Sequence, residues 1–257
     1  MIFDSHVHTE ISADSEMEAA AALQRAAELG LGLVFTEHED LDYPGELDFT
    51  FSPEDYWRKY EALRGSNLRL GAEIGLQTGL ADRNRAFLAK VPFDLVIGSI
   101  HLLDAKDIYY PEYYGMRSQQ QAYHEYFTVM AQTLREHDFV DILGHIDYIA
   151  RYAPYENPEL QYGVFREDID EVLKAVVETN TVMELNTRRL KDRLALKELV
   201  PIYKRYQEMG GAYITLGSDA HEPAAIGMAF AAARDFAEAC RLSIVTFQGR
   251  TMEKCSS

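Results

Sequence analysis

The segment AYITLGSDAH, residues 212–221, joins an apolar run to an aspartate and a histidine. Residues 213–216 carry aromatic, β-branched and aliphatic side chains, and a glycine follows them. A short apolar run bounded in this way predicts a buried strand. Asp219 and His221 come directly after the run, so we predict that both side chains lie at the carboxyl end of that strand.

The same order, a strand and then a histidine, recurs along the chain. Six of the eight histidines follow a predicted strand within a few residues, namely His6, His8, His38, His101, His145 and His221. Glu73 ends another strand, Asp14 lies in the loop after the first strand, and only His124 and His137 fall within or at the end of a predicted helix. A single buried histidine is more often a hydrogen-bonded core residue than a ligand. The joint placement favours a metal site, because the carboxyl ends of parallel strands open onto one face.

Strands and helices are predicted to alternate along the whole chain. The predicted strands are 2–4, 33–36, 69–73, 94–99, 140–143, 182–186 and 213–217, with an eighth candidate at 242–247. The predicted helices are 16–29, one that starts at Pro53 with Ser52 as N-cap, 118–136, 167–179, 194–209 and 224–239. This alternation indicates an α/β barrel or an open doubly wound sheet. No repeat or linker-like segment interrupts it, so we predict a single domain over residues 1–257.

Composition limits the partners and the location. Hydrophobic residues make up 47% of the chain, enough for a full core, and the formal net charge of −17 disfavours nucleic acid and anionic membranes as partners. No apolar run approaches the ~18 residues of a membrane span. Cys240 and Cys255 are the only cysteines, and the first residues already form a predicted strand. We therefore expect a reducing, cytoplasmic location and no signal peptide.

The number of candidate ligands indicates more than one metal ion. The candidates are His6, His8, Asp14, His38, Glu73, His101, His145, Asp219 and His221. Mixed imidazole and carboxylate ligands suit zinc, iron or manganese. Because one zinc ion uses about four ligands, we predict about three divalent ions, each with about three protein ligands and a shared bridge.

A series of motifs resembles those of the PHP (polymerase and histidinol phosphatase) superfamily. In chain order they are HVHTEISADS, FTEHED, GAEIG, IGSIH, LGHIDYIARY, MELNT and TLGSDAH. GHIDYIARY, and LNT ahead of TLGSDAH, are most similar to the monofunctional histidinol-phosphate phosphatase branch. The resemblance implies a distorted seven-stranded (β/α) TIM-like barrel, with a trinuclear metal site at the C-terminal face of the strands.

The resemblance also implies how the ligands divide among the ions. The three implied sets are His6, His8, Glu73 and Asp219; Glu73, His101 and His145; and Asp14, His38 and His221. Glu73 would bridge the first two ions, and Glu73, Asp219 and His221 would be catalytic. Many relatives carry a histidine in the place of Asp14, although an aspartate also binds such ions. Asp4 and Glu37 adjoin ligands and would support them from behind.

Basic residues in two of the motifs resemble the phosphate clamps of the family. Arg151 lies in IARY, and Arg188, Arg189 and Lys191 in NTRRLK compete for the second clamp. For each of them the alternative is an exposed, solvated charge, and for Arg189 that alternative is favoured. Asn186 would orient the substrate or cap the end of its strand.

The predicted function is hydrolysis of a phosphate monoester, in first place L-histidinol phosphate, by a hydroxide that bridges the metal ions. One alternative is the same site acting on another small phosphate ester or a nucleotide. A DNA 3′-exonuclease is disfavoured by the net charge of −17. An amidohydrolase-type barrel is disfavoured by the early position of Glu73, and a catalytically silent metal-binding module by the complete ligand set. The Tyr-rich loop 103–117 is either a lid over the site or a surface loop packed by its own tyrosines.

Overall fold

The computed structural model describes residues 1–255, which contain one mostly parallel sheet and a separate hairpin. The strands are β1 (Phe3–Val7), β2 (Gly32–Glu39), β3 (Leu68–Gly75), β4 (Val96–Ser99), β5 (Leu102–Leu103), β6 (Lys106–Asp107), β7 (Ile142–Leu143), β8 (Val182–Asn186), β9 (Tyr213–Gly217), β10 (Ser243–Gln248) and β11 (Thr251–Lys254). The sheet has the order β1-β2-β3-β4-β7-β8-β9-β10-β11, and β5 pairs with β6 in the hairpin. Neighbours from β1 to β10 are parallel, and β11 is antiparallel to β10. The predicted α/β class is confirmed.

Helices connect most of the strands. They are α1 (Ala19–Leu29), α2 (Pro53–Tyr60), α3 (Ala81–Leu88), α4 (Pro111–Tyr114), α5 (Gln119–Glu136), α6 (Tyr148–Tyr152), α7 (Arg166–Glu178), α8 (Arg193–Glu208) and α9 (Phe230–Ala239). Ser52 caps α2 as predicted, because its hydroxyl accepts the Asp55 N–H at 3.2 Å. The last helix begins later than predicted, since Gly227 and Ala229 have left-handed backbone with φ of +68° and +58°. No helix within residues 1–255 is both long enough and apolar enough to cross a membrane.

The sheet differs from the implied seven-stranded barrel. All seven predicted strands are present in the main sheet, and the eighth candidate is β10. With β11, this sheet has nine strands within residues 1–255. β10 pairs with Tyr213 and Ile214 at the start of β9. β9 lies beside β1, but the backbone hydrogen bonds to β1 are made by the segment after β9, where the His8 N–H donates to the Ala220 carbonyl at 2.9 Å. This contact is an isolated bridge, and the described sheet is not a closed barrel.

One face of the parallel strands is apolar in its amino half and polar in its carboxyl half. Residues two apart on a strand share a face. On β2, Val34 belongs to a buried apolar cluster, and Thr36 and His38 follow it on the same face. On β8, Val182 lies in that cluster and Glu184 follows it. The two-residue period of the sequence therefore places polar side chains, among them the candidate metal ligand His38, directly beyond a buried apolar layer.

Asp94 ties the amino ends of the strands to the C-terminal hairpin. It is fully buried and accepts two hydrogen bonds from Arg64, at 2.6 and 2.7 Å. It also accepts the N–H of Leu70 at 3.0 Å and of Gly249 at 2.9 Å. Burial alone would raise the pKa of Asp94, but Arg64 and the backbone donors hold it below its ordinary value.

We expect Asp94→Ala to lower the free energy of unfolding by about 2–4 kcal/mol, because it leaves buried donors without an acceptor. Urea unfolding at neutral pH checks this. The pKa of Asp94 is lower in the folded state than in the unfolded state. Its contribution to the free energy of unfolding is therefore complete above the unfolded-state pKa and is lost as the pH falls through the folded-state pKa. Asp138→Ala is the control, since Asp138 is 65% exposed in its pair with Arg85 and should contribute less than about 1 kcal/mol. Equal effects of the two variants would contradict this role of Asp94.

Candidate metal centre

The nine predicted ligands meet at the carboxyl ends of the parallel strands. Six of them line one cavity of about 370 Å³, namely Asp14, His38, His101, His145, Asp219 and His221. The other three, His6, His8 and Glu73, are fully buried next to it. The nine side chains thus form one cluster.

Glu73, on β3, is the centre of this cluster. Its Oε2 lies 3.1 Å from His6 Nε2, 3.4 Å from His8 Nε2 and 3.0 Å from His38 Nδ1. All four atoms are buried, and none has a hydrogen-bond partner among the described residues. Two ligand atoms at ~2.1 Å from a tetrahedral zinc ion lie ~3.4 Å apart. These orphaned donor atoms therefore have the spacing and the chemistry of metal ligands.

The other oxygen of Glu73 faces a second group of side chains. Oε1 accepts the hydroxyl of Ser99 at 2.7 Å and lies 2.9 Å from His145 Nε2 and 3.4 Å from His101 Nε2. Each oxygen of this carboxylate thus has its own set of imidazoles. A carboxylate in this position can bridge two ions.

Asp14 and His221 extend the cluster. Asp14 Oδ2 lies 3.2 Å from His221 Nε2 and 3.6 Å from His38 Nε2. The His8 ring stacks against both His38 and His221, with centroids 4.2 and 4.3 Å apart. Among the described residues, three groups each have ligand atoms that lie within 4.8 Å of one another: His8, His38 and His221; His6, His8 and Glu73; and His38, Glu73 and His101. The groups share members, and His38 contacts both Glu73 and Asp14.

Burial and charge oppose each other in this cluster. Burial alone would raise the pKa of Glu73, but His6, His101 and His38 hold it well below its ordinary value. Burial first, and then the neighbouring His38, lower the pKa of His8 well below the ordinary histidine value. Burial alone would lower the pKa of His6, His38 and His101, but the neighbouring carboxylates hold it well above the ordinary histidine value. A metal ion that binds at these imidazoles therefore displaces protons from them.

Two buried carboxylates that the sequence motifs do not single out orient the imidazoles. Glu184 Oε1 lies 2.7 Å from His6 Nδ1, and Glu184 Oε2 accepts the His145 N–H at 2.7 Å. Both oxygens of Asp40 lie 3.0 Å from His101 Nδ1. A proton shared between Nδ1 and a carboxylate leaves Nε2 free to coordinate a metal.

Glycines at the strand ends are the signal that could have found these carboxylates. A Cβ at Gly217 would lie 2.0 Å from Glu184 Oε1, and a Cβ at Gly75 would lie 2.2 Å from Asp40 Oδ1. A larger residue at either position would displace the carboxylate. A glycine that ends a strand two residues from a candidate ligand, as Gly75 and Gly217 do, therefore indicates a side chain passing close to the backbone.

The two predicted supporting carboxylates are also buried beside the cluster. Glu37 accepts the Ser12 hydroxyl at 2.6 Å, and that hydroxyl oxygen lies 3.0 Å from His8 Nδ1. Asp4 accepts the N–H of Ser218 at 2.8 Å and its hydroxyl at 2.6 Å. Glu37 thus reaches His8 through Ser12, and Asp4 fixes the segment directly before Asp219.

Arg151, on α6, lies beside the cluster with unused donors. Its Nη1 donates to Asp219 Oδ2 at 2.6 Å, and its Nε and Nη2 are buried without a partner among the described residues. The side chain is only 5% exposed. Arg188 Nη1 lies 3.7 Å from the same oxygen, and both arginines line the cavity. Two guanidinium groups in this position suit an anion with several oxygens.

The other candidate substrate residues lie outside the cavity lining. Arg189 is not the solvated charge that the sequence favours, because it is 14% exposed and pairs with Asp147 at 3.4 Å and with Glu159. Lys191 is exposed and does not line the cavity. Asn186 is buried, and its Oδ1 accepts the backbone N–H of Arg188 at 3.1 Å.

Comparisons with known proteins give a consistent result. The model of the PHP domain family matches residues 4–188. A probable histidinol-phosphatase of Clostridium acetobutylicum is 41% identical over 98% of this chain and 99% of that protein. A histidinol-phosphatase of Lactococcus lactis is 29% identical over 85% of this chain and 83% of that protein.

A solved structure extends the likeness to the fold. The crystal structure of histidinol phosphate phosphatase from Lactococcus lactis, complexed with zinc, L-histidinol and phosphate, is similar with a TM-score of 0.91. The two chains are 28% identical, and the match covers 98% of this chain and 99% of the other. The chain therefore belongs to the PHP domain family, as its motifs predict, and is similar over nearly all of its length to histidinol-phosphatases.

Proposed function

We propose that the chain is a metal-dependent phosphomonoesterase that hydrolyses L-histidinol phosphate to L-histidinol and phosphate. The observation that carries this proposal is the single cavity shared by the Glu73 cluster and the unused guanidinium donors of Arg151. A phosphoryl group in that cavity would have cationic partners on several oxygens. The Lactococcus lactis relative, which binds zinc, L-histidinol and phosphate, supports the same substrate here.

The proposal includes three divalent ions, which are zinc, iron or manganese. The proposed ligand sets are His6, His8, Glu73 and Asp219; Glu73, His101 and His145; and Asp14, His38 and His221. The overlapping sets of ligand atoms and the zinc of the relative support this number and this type of ion. Such ions act as Lewis acids and activate water as the nucleophile.

The residues of the chain bind and orient the phosphate. Arg151 offers Nε and Nη2 to two phosphoryl oxygens, while its Nη1 stays on Asp219. Arg188 approaches from the cavity wall, and Asn186 holds its backbone. Lys191 has no part in the proposed site, because its exposed side chain does not line the cavity.

We extend the proposal to the architecture and the location. Residues 1–257 form one domain, in which β1–β4 and β7–β9 make a distorted, incompletely closed barrel around the site. The Asp219 N–H, which donates to the His6 carbonyl at 2.9 Å, supports this arrangement because it joins the segment directly after β9 to β1. The free thiols of Cys240 and Cys255 support a cytoplasmic location.

The function is tested by phosphate release from histidinol phosphate, glycerol phosphate and a nucleoside monophosphate. We expect kcat/KM for histidinol phosphate to exceed that for glycerol phosphate by at least about 10- to 100-fold, since only the first ester offers an amine and an imidazole for recognition. Equal efficiency, or a preference for the nucleotide, would contradict the histidinol assignment. Release from none of the esters by metal-loaded protein would contradict the phosphatase function itself.

We expect Arg151→Ala to raise KM and to lower kcat/KM, because a charge-assisted contact to phosphate is lost. The fall in kcat/KM should correspond to a loss of about 2–4 kcal/mol of transition-state stabilisation. Arg151→Lys should recover little, since an ammonium lacks the bidentate fork. Steady-state kinetics and metal analysis of the same samples check this, with bound metal unchanged. Arg58→Ala is the control, because Arg58 is 73% exposed on α2. Kinetics of Arg151→Ala that match this control would exclude Arg151 from phosphate binding.

A further inference from the structure

One wall of the cavity is a row of tyrosines that leads away from the histidine cluster. The Tyr148 ring lies 4.7 Å from the His145 ring between centroids and 5.1 Å from Tyr152. Tyr152 in turn lies 4.6 Å from Tyr109, which is 50% exposed. All four side chains line the cavity, so the row runs from the candidate metal centre to solvent.

A second, shorter aromatic row also forms part of the cavity wall. Phe49 lies 5.4 Å from the His38 ring between centroids, and Tyr43 lies 4.6 Å from Phe49. Both side chains line the same cavity. The two rows thus form a slot with aromatic walls, and its inner end is the histidine cluster.

Asp107 connects the outer ends of the two rows. Its Oδ2 accepts the Tyr43 hydroxyl at 2.7 Å, and its Oδ1 accepts the Tyr109 N–H at 2.7 Å. Asp107 is half-buried and lines the cavity. The carboxylate is therefore held in place by one donor from each wall.

The partners of Asp107 distinguish it from the other acidic residues of the cavity. Asp14, Asp40 and Asp219 each contact a histidine of the cluster. Asp107 pairs with no lysine, arginine or histidine within residues 1–255, and both of its donors are neutral. A half-buried carboxylate between aromatic rings is stabilised when a cation reaches it, and the rings themselves favour cationic or planar ligands.

We infer that Asp107 is a specificity-determining residue that receives the cationic end of an amino-alcohol phosphate whose phosphoryl group lies at Arg151. The group that it binds is an N–H cation, either an ammonium or a protonated imidazole, and the aromatic walls contact the carbon skeleton between the two ends. The inference rests on the proposed phosphatase function. It also gives the Tyr-rich segment 103–117 a role in substrate selection.

The test is the selectivity ratio, which is kcat/KM for histidinol phosphate divided by kcat/KM for glycerol phosphate. We expect Asp107→Asn to lower this ratio about 10- to 100-fold, because the amide keeps the shape but loses the charge. Tyr43→Phe keeps the ring and removes the hydroxyl that holds Asp107, so it should lower the ratio in the same direction by less. Phosphoethanolamine carries an ammonium and no imidazole. If Asp107→Asn also lowers kcat/KM for phosphoethanolamine relative to glycerol phosphate, the ammonium is the group that Asp107 binds. If that ratio stays at the wild-type value, the group is the imidazole.

Asp104→Asn is the matched control on the same hairpin. Asp104 is 66% exposed, contacts Arg117 at 3.4 Å and does not line the cavity, so its variant should keep the wild-type ratio. An unchanged ratio in Asp107→Asn, or an equal loss in Asp104→Asn, would overturn the inference alone. Failure of the wild type to hydrolyse any of the three esters would overturn the proposed function, and this inference with it.

Discussion

The site depends on one buried negative charge. Glu73 is fully buried, and no lysine or arginine within residues 1–255 forms an ion pair with it. A carboxylate in such surroundings costs several kcal/mol unless positive charge lies close to it. Histidines from β1, from β2 and from the segments after β4 and β7 surround its two oxygens. Because these residues are far apart in sequence, only parallel strands with aligned carboxyl ends bring them together.

The charged groups farther from Glu73 also balance the charges of their neighbours. Glu184 and Asp40 accept imidazole protons on the side away from the cluster, and Glu37 does so through Ser12. Arg151 is the counterion of Asp219 and still has unused donors, so the cavity combines a surplus of acidic groups with one fixed place for an anion. Beyond them, Asp107 lies at the far end of the aromatic slot and pairs with no lysine, arginine or histidine among residues 1–255. A substrate with phosphate at one end and a cation at the other matches this distribution.

The strands and the positions of the candidate ligands could be predicted from the sequence because they obey local rules. Apolar runs such as 213–216 and the histidines that follow them are visible without any tertiary information. The roles of Glu184 and Asp40 are harder to predict because their partners lie 39 to 178 residues away. Gly217 and Gly75 indicate that a side chain passes close to the backbone, but a glycine does not say which side chain it is. The sheet has nine described strands and is not a closed barrel, and β10 pairs with the start of β9. Which strand pairs with which is a tertiary feature that a local sequence pattern does not report. Segment 103–117 was predicted without secondary structure, yet it contains most of the hairpin β5–β6 and all of α4, whose elements are too short for a periodic signal.

The proposed metal centre requires Glu73 to bridge two metal ions. Anomalous diffraction from crystals of the metal-replete protein, recorded at the zinc, iron and manganese edges, tests this directly. We predict at least two peaks, one within coordination distance of each Glu73 oxygen, with imidazole nitrogens of His6 or His8 on one ion and of His101 or His145 on the other. A single peak that touches only one oxygen, or no peak with Glu73 hydrogen-bonded to protonated histidines, would contradict it.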